Sequence, residues 1–357
     1  MTIVEVRTHR MRAPLHSPFR TALRSTTALE TVIVEVVDDS GARGLGEAPQ
    51  VWRVTGESLA SAEAAVGEVF DPLLTGGDPD DVNPLLRRVR AAVPGNHSAK
   101  AAVDVALHDL SARRLGIPLA RLLGGSALRV ETDVTLSAGT PEEVTAAAAA
   151  RIAEGFAALK VKVGADPDND LALVTAAREA AGPACRIRLD ANQGWAPRTA
   201  VRLISAMEDA GLDVELVEQP TPAADLDGLA WVADRVDTPI LADESVFGIR
   251  DLMEVIRRRA ADMVNVKLAK CGGLAPARSL LDLAAAAQMG TIVGSMMEGP
   301  VGVGAAASLV AACEPTAVSD LDAAWWLASA PLRGGIRYAD GAVELPDAPG
   351  LGIDIGA

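Results

Sequence analysis

A chain of 357 residues with 33 Lys and Arg against 48 Asp and Glu carries a formal net charge of −15, which leaves no basic footprint for nucleic-acid phosphates. Charged residues at 23%, a mean hydropathy of +0.22 and the lack of a membrane-length apolar run argue for a folded, soluble protein with no membrane association. Cys185, Cys271 and Cys313 are widely spaced without CxxC pairing, and the N-terminus alternates instead of forming an apolar leader, so a cytoplasmic setting is expected.

In chain order, "TIVEVRTHRM" and "TVIVEVVDDSGARGLGEA" alternate with period two around the turn residues Asp39-Ser40-Gly41, predicting an opening antiparallel sheet. Helical patterns follow at about 57–70, 79–92 and 98–115, the last ending at Gly116 with Pro118 beyond. From about residue 130 the grammar becomes strand, loop, helix. Eight short apolar segments begin with "ETDVTL" (131–136) and "ALKVKV" (158–163), and end with "GTIVGS" (290–295) and "AVSDL" (317–321). One intervening helix has a full start signal in Thr140-Pro141-Glu142-Glu143. Such alternation implies parallel pairing, as an eight-stranded barrel or an open doubly wound sheet. After Trp326 a Gly/Pro-rich tail is expected to return to the first domain.

The ionisable residues that end these strands recur almost in step. Lys162 to Asp190 is 28 residues, Asp190 to Glu218 is 28, Glu218 to Asp243 is 25 and Asp243 to Lys267 is 24. That spacing is about one βα unit of a barrel, whose strand ends converge on one mouth. Charges placed there must be paired or bound to metal. Asp190, Glu218 and Asp243 make an oxygen-only set, which suits Mg²⁺ over zinc, and none of the four histidines has a metal-binding spacing. Lys162 and Lys267 flank the carboxylates, so they are expected on opposite sides of a substrate, where a proton can leave one face of a carbon and return to the other. Lys160, two residues from Lys162 in the same strand, is expected to lower the proton affinity of Lys162 by like-charge repulsion and to neutralise a substrate carboxylate.

The set "KVK", "RLDAN", "VEQP", "LADES" and "NVKLAKCGG", in this order and spacing, resembles the muconate-lactonizing subgroup of the enolase superfamily. The resemblance implies a (β/α)₇β TIM-like barrel (123–324) with an α+β capping domain formed by the N-terminal part (1–122) and the C-terminal segment (325–357). It further implies one Mg²⁺ per subunit on Asp190, Glu218 and Asp243, Lys162 and Lys267 as the acid/base pair, and a homo-oligomer.

Within that subgroup, "SDLDAAWW" places Asp320 and Asp322 two apart and so on one face of the eighth strand. It resembles the Asp-x-Asp that holds the substrate ammonium in dipeptide epimerases. "PFRTALRST" (18–26), read as a polar loop, resembles the segment whose final arginine, here Arg24, meets an acidic side chain in Ala-Glu epimerases. "VWRVTGES" (51–58) is expected to help close the mouth, and "VGSMMEG" (293–299) puts Ser295 and Glu298 at its rim. The expected activity is Mg²⁺-dependent inversion of the α-carbon of the C-terminal residue of a dipeptide such as L-Ala-L-Glu, through an enediolate. The alternatives are an N-acylamino acid racemase or an o-succinylbenzoate synthase, neither of whose substrates has an α-ammonium for Asp320 and Asp322, or a cycloisomerase of the same subgroup. A noncatalytic binding barrel would not need opposed lysines.

Overall fold

The structure, a computed structural model, describes residues 1–354. Three antiparallel strands open the chain: β1 (Ile3–Arg20), β2 (Ser25–Asp38) and β3 (Arg43–Pro49). The segment 18–26, read from sequence as a loop, is mostly strand, because β1 and β2 stay paired out to Phe19↔Thr26 and Arg20↔Ser25. Only residues 21–24 turn. Behind the sheet runs α1 (His97–Leu115), which ends as expected at Gly116 with φ 70°. It packs on β3 so closely that a Cβ at Gly46 would lie 1.8 Å from the Ala102 carbonyl oxygen, and one at Gly44 2.0 Å from that of Ala106. Val32, Val34, Val36, Phe70, Leu86 and Leu107 share the resulting core.

The strand-loop-helix region forms a seven-stranded parallel sheet in sequential order: β4 (Val134–Leu136), β5 (Ala158–Lys162), β6 (Arg186–Asp190), β7 (Val214–Glu218), β8 (Ile240–Ala242), β9 (Met263–Lys267) and β10 (Gly290–Gly294). The expected eighth strand at 317–321 is reduced to single parallel bridges, Gly294↔Asp320 on one side and Thr132↔Ser319 on the other. These close the barrel, and the open doubly wound alternative is excluded. Arg188, 1% exposed, reinforces the seam by donating to the Val318 carbonyl at 2.5 Å and to Asp133 at 3.1 Å. Helices cover the outside, and the one at Pro141–Ala153 has the capping box read in the sequence, with Thr140 accepting from the Glu143 N–H and Glu143 from the Thr140 N–H.

The tail divides between both parts. Ala342–Glu344 pairs with Arg129–Glu131 beside the barrel, while the Leu351 N–H donates to Asp109 on α1 at 2.6 Å. Among the described residues no helix is long and apolar enough to cross a membrane.

Replacing Gly46 with Ala should force β3 and α1 apart and lower stability by roughly 2–3 kcal/mol, within the usual range for overpacking. Urea unfolding checks this; an unshifted midpoint would show that α1 can retreat freely.

Candidate active site

Every residue of β5 is buried, because its two faces meet different cores. Leu159 and Val161 face the helical layer, and Lys160 and Lys162 point into the barrel with Lys160 2% and Lys162 6% exposed. The parallel register carries this layer across the sheet, Lys162 beside Asp190 and Asp190 beside Glu218. β5 and β9 stand four places apart in strand order, so in a barrel of eight positions Lys162 and Lys267 approach from opposite walls. Lys267 gains its room from Gly294 on β10, where a Cβ would lie 2.9 Å from the lysine Cε.

Arg24, Lys160, Lys162, Asp243, Lys267, Ser295, Asp320 and Asp322 all line one cavity of about 630 Å³, including its open mouth. Asp190 and Glu218 lie directly behind it. Lys162 Nζ is 2.5 Å from Asp190 Oδ2, and Lys267 Nζ is 2.9 Å from Asp243 Oδ2 and 3.8 Å from Glu218. Glu218 also accepts from Asn265 Nδ2 at 2.7 Å. The three carboxylates expected to hold metal are thus gathered in one layer, but each turns toward a cationic or amide donor. Among the described residues no three such side chains surround a common point. The donor set still fits a hard cation. Glu244 Oε2 and Asn192 Oδ1 are buried without a hydrogen-bond donor, both residues line the same cavity, and with the strand-end carboxylates they form a set of oxygen acceptors with no His or Cys among them.

Lys160 is itself engaged by carboxylates of the barrel. Its ammonium is bonded to Asp320 and lies 3.4 Å from Glu218. Burial would release its proton, but the Asp320 and Glu218 carboxylates hold that proton well above the ordinary lysine range. Lys267 is likewise raised: burial and the Lys160 ammonium act against the proton, and Asp243, Glu218 and Asp320 outweigh them. Glu244, buried beside Asp243 and Asp190, is pushed up to about 8.

Asp320 and Asp322 both reach the cavity, although not as neighbours on a regular strand. Asp322 already precedes a short 3₁₀ turn, Ala323–Trp326, and its Oδ2 accepts from the Thr135 N–H at 2.7 Å and the Trp326 indole at 3.1 Å. The other oxygen of each aspartate accepts no hydrogen bond among the described residues. Arg24 sits on the 21–24 turn, which is tied by Thr21 N–H to the Arg24 carbonyl at 2.9 Å. Burial lowers its pKa. Phe19, from the same hairpin, lies 5.7 Å from Lys162 Nζ and stacks edge-on against Trp326. Ser295 is held to the Asp320 carbonyl through its N–H at 3.0 Å.

Glu298 corrects the rim assignment. It is 2% exposed and does not line the cavity; it lies behind Met296 and Met297, accepting from the Met296 N–H at 3.0 Å. Its loop is pinned from the capping domain by Glu47, which accepts from the Gly299 and Gly302 N–H groups at 2.7 and 2.9 Å.

Several residues inside the quoted motifs were given no role by sequence. Lys270, 1% exposed, contacts Asp243 Oδ1 at 2.6 Å and the Asn265 carbonyl at 3.1 Å. The signal for it was its place three residues beyond Lys267, at the end of the short helix Leu268–Cys271. Asn265, Asn192 and Glu244 were equally present in "NVKLAKCGG", "RLDAN" and "LADES".

A parallel barrel whose mouth joins opposed lysines to strand-end carboxylates beneath an α+β cap defines an enolase-type architecture. Residues 3–124 match the mandelate racemase/muconate lactonizing enzyme N-terminal domain, and residues 143–357 match the enolase C-terminal domain-like family. The chain belongs to this family within the enolase superfamily. It is 44% identical to the L-Ala-D/L-Glu epimerase of Bacillus subtilis (strain 168) over 100% of this chain and 98% of that protein. Its fold is similar to a substrate-liganded complex of the Bacillus subtilis L-Ala-D/L-Glu epimerase, with TM-score 0.96 and coverage of 100% of this chain and 99% of that one. It is also similar, with TM-score 0.93 and 36% identity, to the dipeptide epimerase of Enterococcus faecalis V583 complexed with Mg and L-Leu-L-Tyr, covering 99% of this chain and 100% of that one.

Burial and the Glu47 carboxylate raise Glu298 to about 8 against the lesser effect of its Met296 N–H bond. The folded state therefore keeps a proton that the unfolded chain releases from about pH 4.5 upward, and stability falls as pH rises toward 8 by up to about 1.4 kcal/mol per unit. Glu298→Gln should flatten that decline, so its advantage over the wild type grows from pH 5 to pH 8 in urea titrations. Parallel curves would contradict the assignment.

Proposed function

We propose that this protein is a Mg²⁺-dependent dipeptide epimerase that inverts the α-carbon of the C-terminal residue, with L-Ala-L-Glu as a representative substrate. The observation that carries the reading is the placement of two buried lysines on opposite walls of one cavity, with strand-end carboxylates in the layer between them. Lys162 Nζ takes the α-proton from one face, and Lys267 Nζ delivers a proton to the other; the reverse reaction exchanges their roles. Lys160 supplies positive charge beside the substrate carboxylate as the enediolate forms. Asp190, Glu218 and Asp243 would hold Mg²⁺, which when bound stabilises the negative charge that develops on that carboxylate.

The free oxygens of Asp320 and Asp322 receive the substrate α-ammonium. Arg24 meets an acidic side chain as a fork-shaped donor. Ser295 contributes to the pocket wall, and Glu298 supports that wall from behind. The relatives named above are epimerases of L-Ala-D/L-Glu or were crystallised with a dipeptide and Mg, which supports both the substrate class and the ion. The domain boundaries at 122/123 and 324/325, a homo-oligomeric state and a cytoplasmic setting belong to the same reading; light scattering after gel filtration tests the oligomer.

In D₂O with Mg²⁺, the wild type should exchange the α-proton of L-Ala-L-Glu and of L-Ala-D-Glu, and chelation should abolish both. Lys162→Ala should lose exchange of one epimer and keep some of the other, with Lys267→Ala showing the reverse. Equal residual exchange in each variant, read by NMR, would rule out opposed bases. Arg24→Gln should lower kcat/KM for an acidic dipeptide roughly tenfold or more relative to an apolar one, as expected for a lost charge-assisted hydrogen bond; unchanged relative specificity would remove Arg24 from the site.

A further inference from the structure

The loop at 51–56 holds a cation that the proposed reading leaves unused. The Val51 carbonyl accepts from the Val54, Thr55 and Gly56 N–H groups at 3.2, 3.1 and 3.2 Å, and from Thr55 Oγ1 at 3.2 Å. A loop wound this tightly on one oxygen presents its tip residues, Trp52 and Arg53, in a defined place. Trp52 is 63% exposed.

Arg53 lines the catalytic cavity together with Arg24 of the hairpin turn. Both arginines also line a second cavity of about 730 Å³, open to solvent, which adjoins the first across Met297. The acid on that second wall is already engaged: Glu30 accepts from Gln50 Nε2 at 3.0 Å and faces Arg12 at 3.4 Å. Neither Arg24 nor Arg53 has an ion-pair partner among the described residues. Two arginines from separate capping-domain loops therefore line one passage, and no carboxylate among the described residues is paired with either. A guanidinium offers donors only, so the partner that suits this passage is an anion.

We infer that Arg53 is a second specificity-determining residue, which joins Arg24 in gripping the side-chain carboxylate of the substrate residue being inverted, with the adjoining cavity receiving the end of that side chain. The inference rests on the dipeptide epimerase reading and extends it. A carboxylate has two oxygens and can accept from both forks, whereas a neutral side chain leaves both cations without a counter-charge. Arg53 is exposed and screened by water, so its effect is smaller than that of Arg24 and salt-sensitive.

The test measures kcat/KM for L-Ala-L-Glu and L-Ala-L-Gln in the wild type, Arg53→Gln and Arg53→Lys, with Mg²⁺, at low and high NaCl. The Glu-to-Gln ratio should fall about five- to tenfold in Arg53→Gln, chiefly through KM, recover in part in Arg53→Lys, and lose part of its salt dependence. A ratio in Arg53→Gln within twofold of the wild type overturns the inference. So does a wild type that turns over L-Ala-L-Gln but not L-Ala-L-Glu, a result that leaves the epimerase reading standing. A wild type inert toward both dipeptides and toward a wider dipeptide library removes the epimerase reading, and this inference with it.

Discussion

Six carboxyl groups and four ammonium groups share the mouth of one barrel: Asp190, Glu218, Asp243, Glu244, Asp320 and Asp322 with Lys160, Lys162, Lys267 and Lys270, all buried. Ions removed from water are tolerated only as a mutually compensating set, since taking away one partner strands another. That requirement explains why the charges sit at successive strand ends in register. It also explains why no single one can be understood alone. The surplus lies on the acidic side, and burial together with the neighbouring Asp243 and Asp190 raises Glu244. A divalent cation is the species that balances such a surplus in an all-oxygen setting.

The cap is fastened to this barrel by carboxylates that receive backbone N–H groups. Glu47 on β3 accepts from Gly299 and Gly302, and Asp104 on α1 from Leu274 at 2.9 Å, while within the cap Asp109 ties α1 to β3 through Leu45 at 2.8 Å and to the tail through Leu351. Buried acids otherwise unpaired would be unfavourable, and here Glu47 and Asp104 satisfy amides at helix starts and Asp109 one on a strand and one in the tail. The consequence is positional. The hairpin bearing Phe19 and Arg24 and the loop bearing Arg53 are held over a mouth whose chemistry lies in a different part of the chain.

The barrel and its reactive layer were legible in the sequence because both follow from periodicity. Strands repeat every βα unit, and a residue ending each strand must face the mouth. Lys162, Asp190, Glu218, Asp243 and Lys267 could be found by counting. Pairings across the barrel could not. Nothing local links Lys160 to Asp320, 160 positions away, or Arg188 to Val318, 130 away; these emerge only when the cylinder closes. Glu298 was misplaced for a related reason: its loop leaves the strand period, so spacing no longer tells which way a side chain points. The eighth strand was read at full length because apolar alternation marks burial, and residues 317–321 are largely buried without forming a full ladder.

The two bridges at that last position have an evolutionary meaning. Asp320 and Asp322 stand on a stretch of wall joined to its neighbours only by single bridges, while Lys160, Lys162, Asp190, Glu218 and Lys267 stand on continuous ladders. Changes in the acidic pair can therefore accumulate without unzipping the sheet that fixes the proton-handling groups, provided that the buried Lys160 ammonium paired with Asp320 keeps a counter-charge. A scaffold built this way can exchange one kind of ligand head group for another while its reactive core stays in place.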